Sequence, residues 1–235
     1  MVGQRDEATL AIFSVALVSL AAQYSPGSLR VILCDGSPPD SPPRQYLERV
    51  LQAIPHNFTL AKPGDLADLL KGLTDEMKQR AEDAQGADAQ ATFVLIHGLH
   101  KFNKLRYEEE LAFSTPDPDA PPNPALLLNN LISEGPSLGF HVMASCDSFN
   151  NVNRFLSRKA LSEFEMRVLF QMSANDSASL IDNPKASTLG MHRALYYNEQ
   201  EGYLETFRPY ALPGNDWIEE VAANLKRLAG VTLKG

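Results

Sequence analysis

The run of residues 92–96 (TFVLI) constrains the fold of this chain more than any other feature of its sequence. A strand with one exposed face alternates polar and apolar residues, because successive side chains point to opposite faces. A strand without that alternation is typical of a parallel sheet covered on both faces. Residues 29–34 (LRVILC), which run into Asp35 and Gly36, predict a second strand.

The segments between these strands have helical periodicity. Leu66, Leu69, Leu70, Leu73 and Met77 recur at steps of three and four residues. Helices are predicted over residues 8–24, 44–54, 64–84, 125–134, 157–163 and 216–228, and further strands over 57–61, 139–146 and 166–172. Residues 192–197 and 203–207 predict a C-terminal β-hairpin, and residues 37–43 and 114–124 predict proline-rich loops. Strands that alternate with helices indicate an α/β fold with a mostly parallel sheet and helices on both faces. We expect a single domain over residues 1–235.

The first helix is apolar on all sides, which favours burial between other elements. A secretory signal needs a basic start, yet Arg5 is followed by Asp6 and Glu7, and the apolar run is too short to span a bilayer. We therefore predict a cytoplasmic protein without a membrane partner. Its two cysteines, Cys34 and Cys146, are expected to be buried and reduced.

Two bulk features limit the partners. The net charge of -8 does not favour binding to DNA, because contacts to phosphates supply most of that affinity. Only Met1 and Val2 precede the first helix, so a strand-loop-helix unit has almost no room for its strand. We expect the chain to be a fragment of a longer, multi-domain protein.

Four stretches, in this order, resemble the FtsK/SpoIIIE/HerA family of P-loop motor ATPases. They are VILCD at 31–35, LTDEMKQR at 73–80, LISEG with LGFHVMAS at 131–145, and RVLFQMS with DS, LID and LG at 167–190. The resemblance covers residues 1 to 210 and implies a P-loop NTPase-like (RecA/ASCE) fold. It also implies a motor ATPase that acts in a ring with other ATPase domains, with ATP and Mg²⁺ as cofactors.

The phosphate-binding loop of the family departs from its pattern here. Such a loop offers backbone N–H groups, a lysine and a Mg²⁺-binding hydroxyl to the nucleotide. The matching residues are Gly3, Gln4, Arg5, Asp6, Glu7, Ala8 and Thr9. Ala8 replaces the last glycine and Thr9 replaces the lysine. Asp6 and Glu7 add negative charge, and a carboxylate about 4 Å from a phosphate costs about 4 kcal/mol of binding free energy at an effective dielectric constant of about 20. Binding of Mg-ATP is expected to be weakened.

The other catalytic positions depart as well. His97 and Gly98 stand where the family has the acidic Walker B pair, and Cys146 stands at the polar sensor position. A histidine does not organise Mg²⁺ as carboxylates do. We therefore predict no ATP hydrolysis by this chain alone.

Arg167 is a candidate arginine finger, because the family has an arginine near this point that faces a neighbouring subunit's nucleotide. The alternatives are an exposed strand residue, or a residue paired with Glu163 or Glu165.

Three further groups of residues contain side chains that could bind a metal, act as a nucleophile or contact DNA. His97 and His100 do not predict a metal site, because a third or fourth ligand is not evident nearby in the sequence. Cys146 with His141 or His97 could form a nucleophilic pair, although a buried thiol is favoured. Lys101, Lys104 and Arg106, followed by acidic residues 108–110, predict a solvated surface.

Two functions follow. The first is a catalytically degenerate module that serves a structural or regulatory role in a larger motor. The alternative is an ATP-binding DNA-translocase or secretion-motor domain that contributes to hydrolysis in trans. A third hypothesis is an interaction domain of the same fold that is unrelated to motors.

Overall fold

A computed structural model of the chain describes residues 1–25, 27–83, 90–107 and 122–230. The elements over these ranges follow the predicted alternation. The strands are β1 (Leu29–Asp35), β2 (Asn57–Ala61), β3 (Ala91–His97), β4 (Phe140–Ala144), β5 (Met166–Leu169), β6 (Ala194–Asn198) and β7 (Tyr203–Phe207). The helices are α1 (Asp6–Gln23), α2 (Pro42–Ala53), α3 (Leu66–Glu82), α4 (Pro124–Glu134), α5 (Phe149–Phe155), α6 (Arg158–Ser162), α7 (Ala174–Ile181) and α8 (Asn215–Leu228).

The first four strands form a parallel sheet in the order β2-β1-β3-β4. In its centre Ile32 pairs with Val94, and Asp35 pairs with His97 at the carboxyl ends of β1 and β3. Both faces of this sheet are covered. Ile32 and Ile96 pack with α3 and α4, whereas Leu33 and Leu95 pack on the other face with α1, α2 and α8. The predicted α/β class, with helices on both faces of a mostly parallel sheet, is confirmed.

The last three strands form an antiparallel sheet in the order β5-β6-β7, and β6 and β7 make the predicted hairpin. Val2 joins this sheet to the parallel one. It makes parallel bridges to Cys146, just beyond β4, and to Leu169 at the end of β5. The Val2 N–H donates to the carbonyl of Val168 at 2.8 Å, and the Phe170 N–H donates to Val2 at 2.9 Å. One residue therefore fills the strand position that precedes α1.

Part of the surface of helix α1 lies in the core, but the helix is less completely buried than predicted, because Ile12, Val15 and Val18 are only partly buried. Among the described residues it is the one helix long and apolar enough to cross a membrane. In this fold, however, its Phe13 and Leu17 are completely buried in the cluster that also contains Leu33 of β1. The packing of residues such as Phe13 and Leu17 accounts for part of the apolar composition of α1.

Helices α5 and α7 were not predicted from the sequence, and β5 is shorter than predicted. Helix α5 is capped by Ser148, which accepts from the Asn151 N–H, and α7 is capped by Ser173, which accepts from the Asp176 N–H. A serine at the N-cap position is a recognised start signal for a helix and could have indicated both. Most of the predicted loop 114–124 and the acidic residues 108–110 lie outside the described residues.

The resemblance to the LTDEMKQR stretch has a structural meaning in α3. Glu76 accepts hydrogen bonds from Arg30 of β1 and from Arg80, both at 2.6 Å. Arg80 also donates to the carbonyls of Leu138 and Gln90, and its guanidinium lies 4.2 Å from the centre of the Phe140 ring. This network joins α3 to both β1 and β4.

Candidate functional site

The candidate site lies at the carboxyl edge of the parallel sheet, where α/β proteins bind their ligands. Four chain segments meet there: the ends of β1 and β3, the residues after β4, and the turn after Val2. The segments are tied together by hydrogen bonds. The Gly3 N–H donates to the Cys146 carbonyl at 3.0 Å, and the Gly98 N–H donates to Ser145 Oγ at 2.9 Å. The structure therefore brings the predicted phosphate-loop, Walker B and sensor positions to one place.

The connection between Val2 and α1 is shorter than the sequence analysis expected. It consists of Gly3, Gln4 and Arg5, and α1 begins at Asp6, so that Asp6, Glu7, Ala8 and Thr9 are helical. The prediction of a loop over residues 3–9 is therefore wrong in its length, since only residues 3–5 lie outside the helix. A three-residue connection turns directly into the helix without arching over a ligand.

Gly3 makes the short connection feasible. Its φ of +127° is a conformation that side chains rarely allow, and an added Cβ would lie 2.7 Å from the Cβ of Phe170. The Gly3 turn is thus packed closely against the chain that follows β5.

Charges of both signs line this edge of the sheet. Asp6 and Glu7 are exposed in the first turn of α1, whereas Thr9 is buried. Arg5 stands at the N-cap of α1, but its side chain makes no capping hydrogen bond to the helix. Its Nη2 atom lies 3.4 Å from His192 Nδ1. An open cavity of about 390 Å³ extends from Gly3 and Arg5 to the second sheet, lined by polar residues that include Asp147, Asp176 and Arg193.

His97 is buried at the end of β3 in a polar network of its own. Its Nδ1 lies 2.8 Å from Asp35 Oδ1 and 3.3 Å from Ser37 Oγ, and its ring packs edge-on against Phe13. The Ser37 N–H also donates to Asp35 Oδ1 at 2.9 Å. His97 therefore stabilises the junction of β1, β3 and α1.

The Asp35 carboxylate responds to two opposing influences. Burial raises its pKa, but the hydrogen bonds from His97 and Ser37 outweigh burial and hold the pKa below the usual value. A carboxyl group whose pKa is depressed by folding stabilises the fold above its unfolded pKa, and that stability is lost as the pH falls through the folded value.

We expect the Asp35→Asn variant to lose about 1–2 kcal/mol of stability at neutral pH, because a charge-assisted hydrogen bond becomes neutral. The difference from wild type should begin to shrink below about pH 4, the pKa of an unfolded aspartate, and should be lost as the pH falls through the lower pKa of folded Asp35. Urea denaturation at several pH values measures this difference. A difference that stays constant down to strong acid would contradict the assigned role of Asp35.

Gly98 and Cys146 complete the predicted positions. Gly98 has a φ of +74°, which lets the chain turn sharply after β3. Cys146 is 6% exposed, and burial raises the pKa of its thiol to about 11. His97 is engaged by Asp35, and His141 stacks on Phe93 instead. Both histidines have partners other than Cys146, which supports the buried-thiol interpretation.

Three metal-binding residue types meet where the sequence did not indicate a site. His100, Cys146 and Asp147 place one ligand atom each within 4.8 Å of the others. This group could not be found from His97 and His100 alone, because its members follow two different strands. His97 is not a member of it.

Arg167 lies on β5 with its guanidinium held inside the fold. It donates to the carbonyls of Phe164 at 2.8 Å, Leu161 at 3.3 Å and Leu180 at 2.5 Å. Its ionic partner is Glu199 at 2.9 Å, so the predicted pairing with Glu163 or Glu165 is wrong. The arginine-finger role remains a prediction, and it would require these contacts to break.

The basic residues after β3 are exposed, as predicted. Lys101, Lys104 and Arg106 all lie on the surface, and no salt bridge is seen for them among the described residues. Their acidic neighbours at 108–110 lie outside the described ranges.

No protein-family model and no curated protein sequence matches this chain. Solved structures do match it. The conjugation coupling protein TcpA has a TM-score of 0.64 at 15% identity, and the match covers 97% of this chain and 63% of that one. EssC (ATPases 2 and 3) from Geobacillus thermodenitrificans has a TM-score of 0.67 at 14% identity, covering 97% and 43%.

The cytoplasmic domain of the type VII secretion ATPase EccC from Thermomonospora curvata has a TM-score of 0.64 at 16% identity, and the match covers 97% of this chain and 27% of that one. The chain therefore spans less than two thirds of each of these three solved chains. At such identities the likeness shows the fold. This chain has the fold of the FtsK/SpoIIIE-type P-loop ATPase domains.

Proposed function

We propose that this chain is a catalytically degenerate motor-ATPase-fold module that serves a structural or regulatory role within a larger motor protein. The observation that carries the proposal is the three-residue connection from Val2 to α1. The proposal accounts for the fold shared with motor ATPase domains and for the unusual residues at its carboxyl edge.

The short connection leaves few groups for a phosphate. A phosphate-binding loop directs consecutive backbone N–H groups at its ligand. Here the Gly3 N–H donates to Cys146 and the Arg5 N–H donates to Gly3, at 3.0 and 3.2 Å. Two of the three N–H groups of the connection are thus used within the chain.

The side chains at this helix terminus oppose phosphate binding. Asp6 and Glu7 place two negative charges on the first turn of α1, where the partial positive charge of the helix would otherwise attract an anion. Thr9, the one hydroxyl among the residues that replace the motif, is buried in the helix. A phosphate approaching α1 would meet carboxylates first.

The end of β3 supports the same proposal. Gly98 has no side chain, and His97 Nδ1 is engaged by Asp35 and Ser37. The Asp35 carboxylate accepts from both His97 and Ser37 through Oδ1, whereas its Oδ2 is buried without a hydrogen-bond partner among the described residues. Activation of water and Mg²⁺ binding require an accessible carboxylate, and Asp35 is 1% exposed.

We infer from the solved neighbours that the partners are other ATPase domains of the same polypeptide or ring. EssC is described by numbered ATPases, which shows that the fold occurs in chains with several such domains. The net charge of -8 does not support a DNA contact by this module itself. A cytoplasmic location agrees with the EccC neighbour, whose matching part is a cytoplasmic domain.

Titration of the isolated chain with Mg-ATP is expected to show no saturable heat below millimolar nucleotide, and phosphate release should equal the background. The matched variant carries Asp6→Asn and Glu7→Gln, which removes the repulsion and keeps the short connection. We expect this variant to remain inactive, because the cradle of N–H groups is absent. Micromolar binding with turnover in the wild-type chain would overturn the proposal.

A contribution to hydrolysis in trans is the alternative function. It rests on Arg167, which is the single predicted catalytic side chain that the family pattern retains. The four contacts of its guanidinium favour a structural role.

A further inference from the structure

Three side chains from two neighbouring strand ends form a compact group at the candidate site. His100 lies in the 3₁₀ turn Leu99–Lys101 after β3, whereas Cys146 and Asp147 directly follow β4. Strands β3 and β4 are adjacent and parallel, with Ile96 paired to Ala144, so their carboxyl ends meet. The sheet topology therefore creates the group from residues far apart in the sequence.

The spacing of the ligand atoms suits a tetrahedral ion. Asp147 Oδ1 lies 3.7 Å from His100 Nδ1 and 3.9 Å from Cys146 Sγ. Ligands bound to zinc at about 2.0–2.3 Å are separated from one another by about 3.3–3.6 Å. These two separations exceed this by a few tenths of an ångström, and His100 Nδ1 and Cys146 Sγ lie within 4.8 Å of each other, so side-chain rotation must bring all three atoms closer around an ion.

One member of the group lacks a hydrogen-bond partner. His100 Nδ1 is buried, and among the described residues no donor or acceptor lies within bonding distance of it. Its neighbour, the Asp147 carboxylate, stands just beyond hydrogen-bond range. An unpartnered nitrogen that faces a carboxylate and a thiol is an arrangement that a metal ion would complete.

The surrounding hydrogen bonds fix two of the three residues. Asp147 Oδ1 accepts from Asn151 Nδ2 at 2.7 Å and from Ser148 Oγ at 3.0 Å, at the start of α5. The backbone of Cys146 is held on both sides by Met1 and Gly3. Such outer contacts orient metal ligands and lower the cost of assembling a site.

Access to the site is partial. The side chains of His100 and Asp147 are 22% and 32% exposed, whereas Cys146 and the His100 Nδ1 atom are buried. An ion that enters from the solvent would therefore meet Asp147 first, and the His100 ring would turn to bind it.

We propose that His100, Cys146 and Asp147 bind one Zn²⁺ ion. An imidazole, a thiolate and a carboxylate are donors that zinc accepts together, whereas Mg²⁺ and Ca²⁺ prefer oxygen donors alone. On binding, the Cys146 thiol releases its proton to solvent and the sulfur forms a bond to the ion, and a water molecule fills the fourth position. The ion joins the ends of β3 and β4 at the carboxyl edge of the sheet. At this edge His97, Gly98 and Cys146 stand where the family has its Walker B and sensor residues. The site does not depend on whether the chain hydrolyses ATP.

Cobalt(II) is the probe for the ligand set, because its spectrum reports both geometry and a bound thiolate. The full chain, freed of metal by a chelator, is titrated with Co²⁺ alone and then with Zn²⁺. We expect saturation at one ion per chain, tetrahedral visible bands and a sulfur-to-cobalt charge-transfer band, all removed by Zn²⁺. Absence of saturation at one ion per chain would overturn the proposal.

Variants assign the ligands. Cys146→Ala should abolish the charge-transfer band and weaken Zn²⁺ binding by about 100-fold or more, whereas Cys34→Ala, at the other buried cysteine, should keep the band. Asp147→Asn retains the shape and the acceptor oxygen of the side chain, and should weaken Zn²⁺ binding by about 10-fold or more without unfolding the chain. A band that survives in Cys146→Ala, or Zn²⁺ affinity unchanged in Asp147→Asn, would contradict the assignment.

Discussion

Replacement of Arg167 by methionine is expected to lower the free energy of unfolding by about 3 kcal/mol. Methionine keeps most of the aliphatic stem but leaves the carbonyls of Phe164, Leu161 and Leu180 without their charged donor. Glu199 is half exposed and can be solvated, so most of the loss comes from the carbonyls. Urea denaturation of the isolated chain measures the change.

Arg158→Met is the matched control, because Arg158 is exposed on α6, a few residues before Arg167. It should change the free energy of unfolding by less than about 0.5 kcal/mol. If Arg167→Met were as stable as this control, the hydrogen bonds of Arg167 would not hold the fold together.

The same pair of variants tests the finger role. If Arg167 acts as an arginine finger in the proposed larger motor, Arg167→Met should lower the ATPase rate of that motor by about 10³-fold or more while the module stays folded. A structural Arg167 would instead lower the unfolding midpoint, and activity at low temperature would survive. Loss of the rate without loss of stability would favour the contribution in trans.

The strands and the fold class were predictable because burial on both faces leaves a direct trace in the sequence. Residues 92–96 lack alternation, and the structure covers both faces of β3. Predicted helix limits agree with α3 and α8 within two residues. Helices α5 and α7 were missed because each is short and is specified mainly by a serine cap.

The candidate site was predictable as a set of positions but not as a geometry. The order of the family-like stretches placed Gly3, His97 and Cys146 at related points, and the structure brings them to one edge. What the sequence could not show is which side chains meet across strands. Asp35 reaches His97 through the register of β1 and β3, and His100 reaches Asp147 through that of β3 and β4.

The length of the phosphate-loop connection was also beyond the sequence. Residues 3–9 match the positions of the family's phosphate-binding loop in the sequence, yet the helix already begins at Asp6. Val2 determines this start, since its two bridges fix where the chain leaves the sheet. Helix boundaries depend on such tertiary contacts and not on local propensity alone.

The resemblance of LTDEMKQR to the family is explained by structural contacts rather than by chemistry. Burial raises the pKa of Glu76, but Arg30 and Arg80 outweigh burial and hold it below the usual value. The carboxylate is therefore charged between two arginines at neutral pH. Its contacts tie α3 to the sheet at a distance from the candidate site.

Replacement of Arg80 by methionine should lower the free energy of unfolding by about 3–4 kcal/mol, the largest effect expected for a charged residue of this chain. The variant loses the hydrogen bonds to Leu138 and Gln90 and the contact of the guanidinium with the Phe140 ring. Glu76 keeps Arg30 as a partner and is 31% exposed, which limits the penalty of its lost ion pair.

The control is Lys78→Met, since Lys78 is exposed on the same helix and should change stability by less than about 0.5 kcal/mol. Arg80→Lys keeps the charge but cannot reach Glu76, Leu138 and Gln90 together, because a lysine lacks the planar fork of donors. We therefore expect Arg80→Lys to recover less than half of the loss. Full recovery in urea denaturation would mean that charge alone holds α3 against β4, and that the three directed hydrogen bonds contribute little.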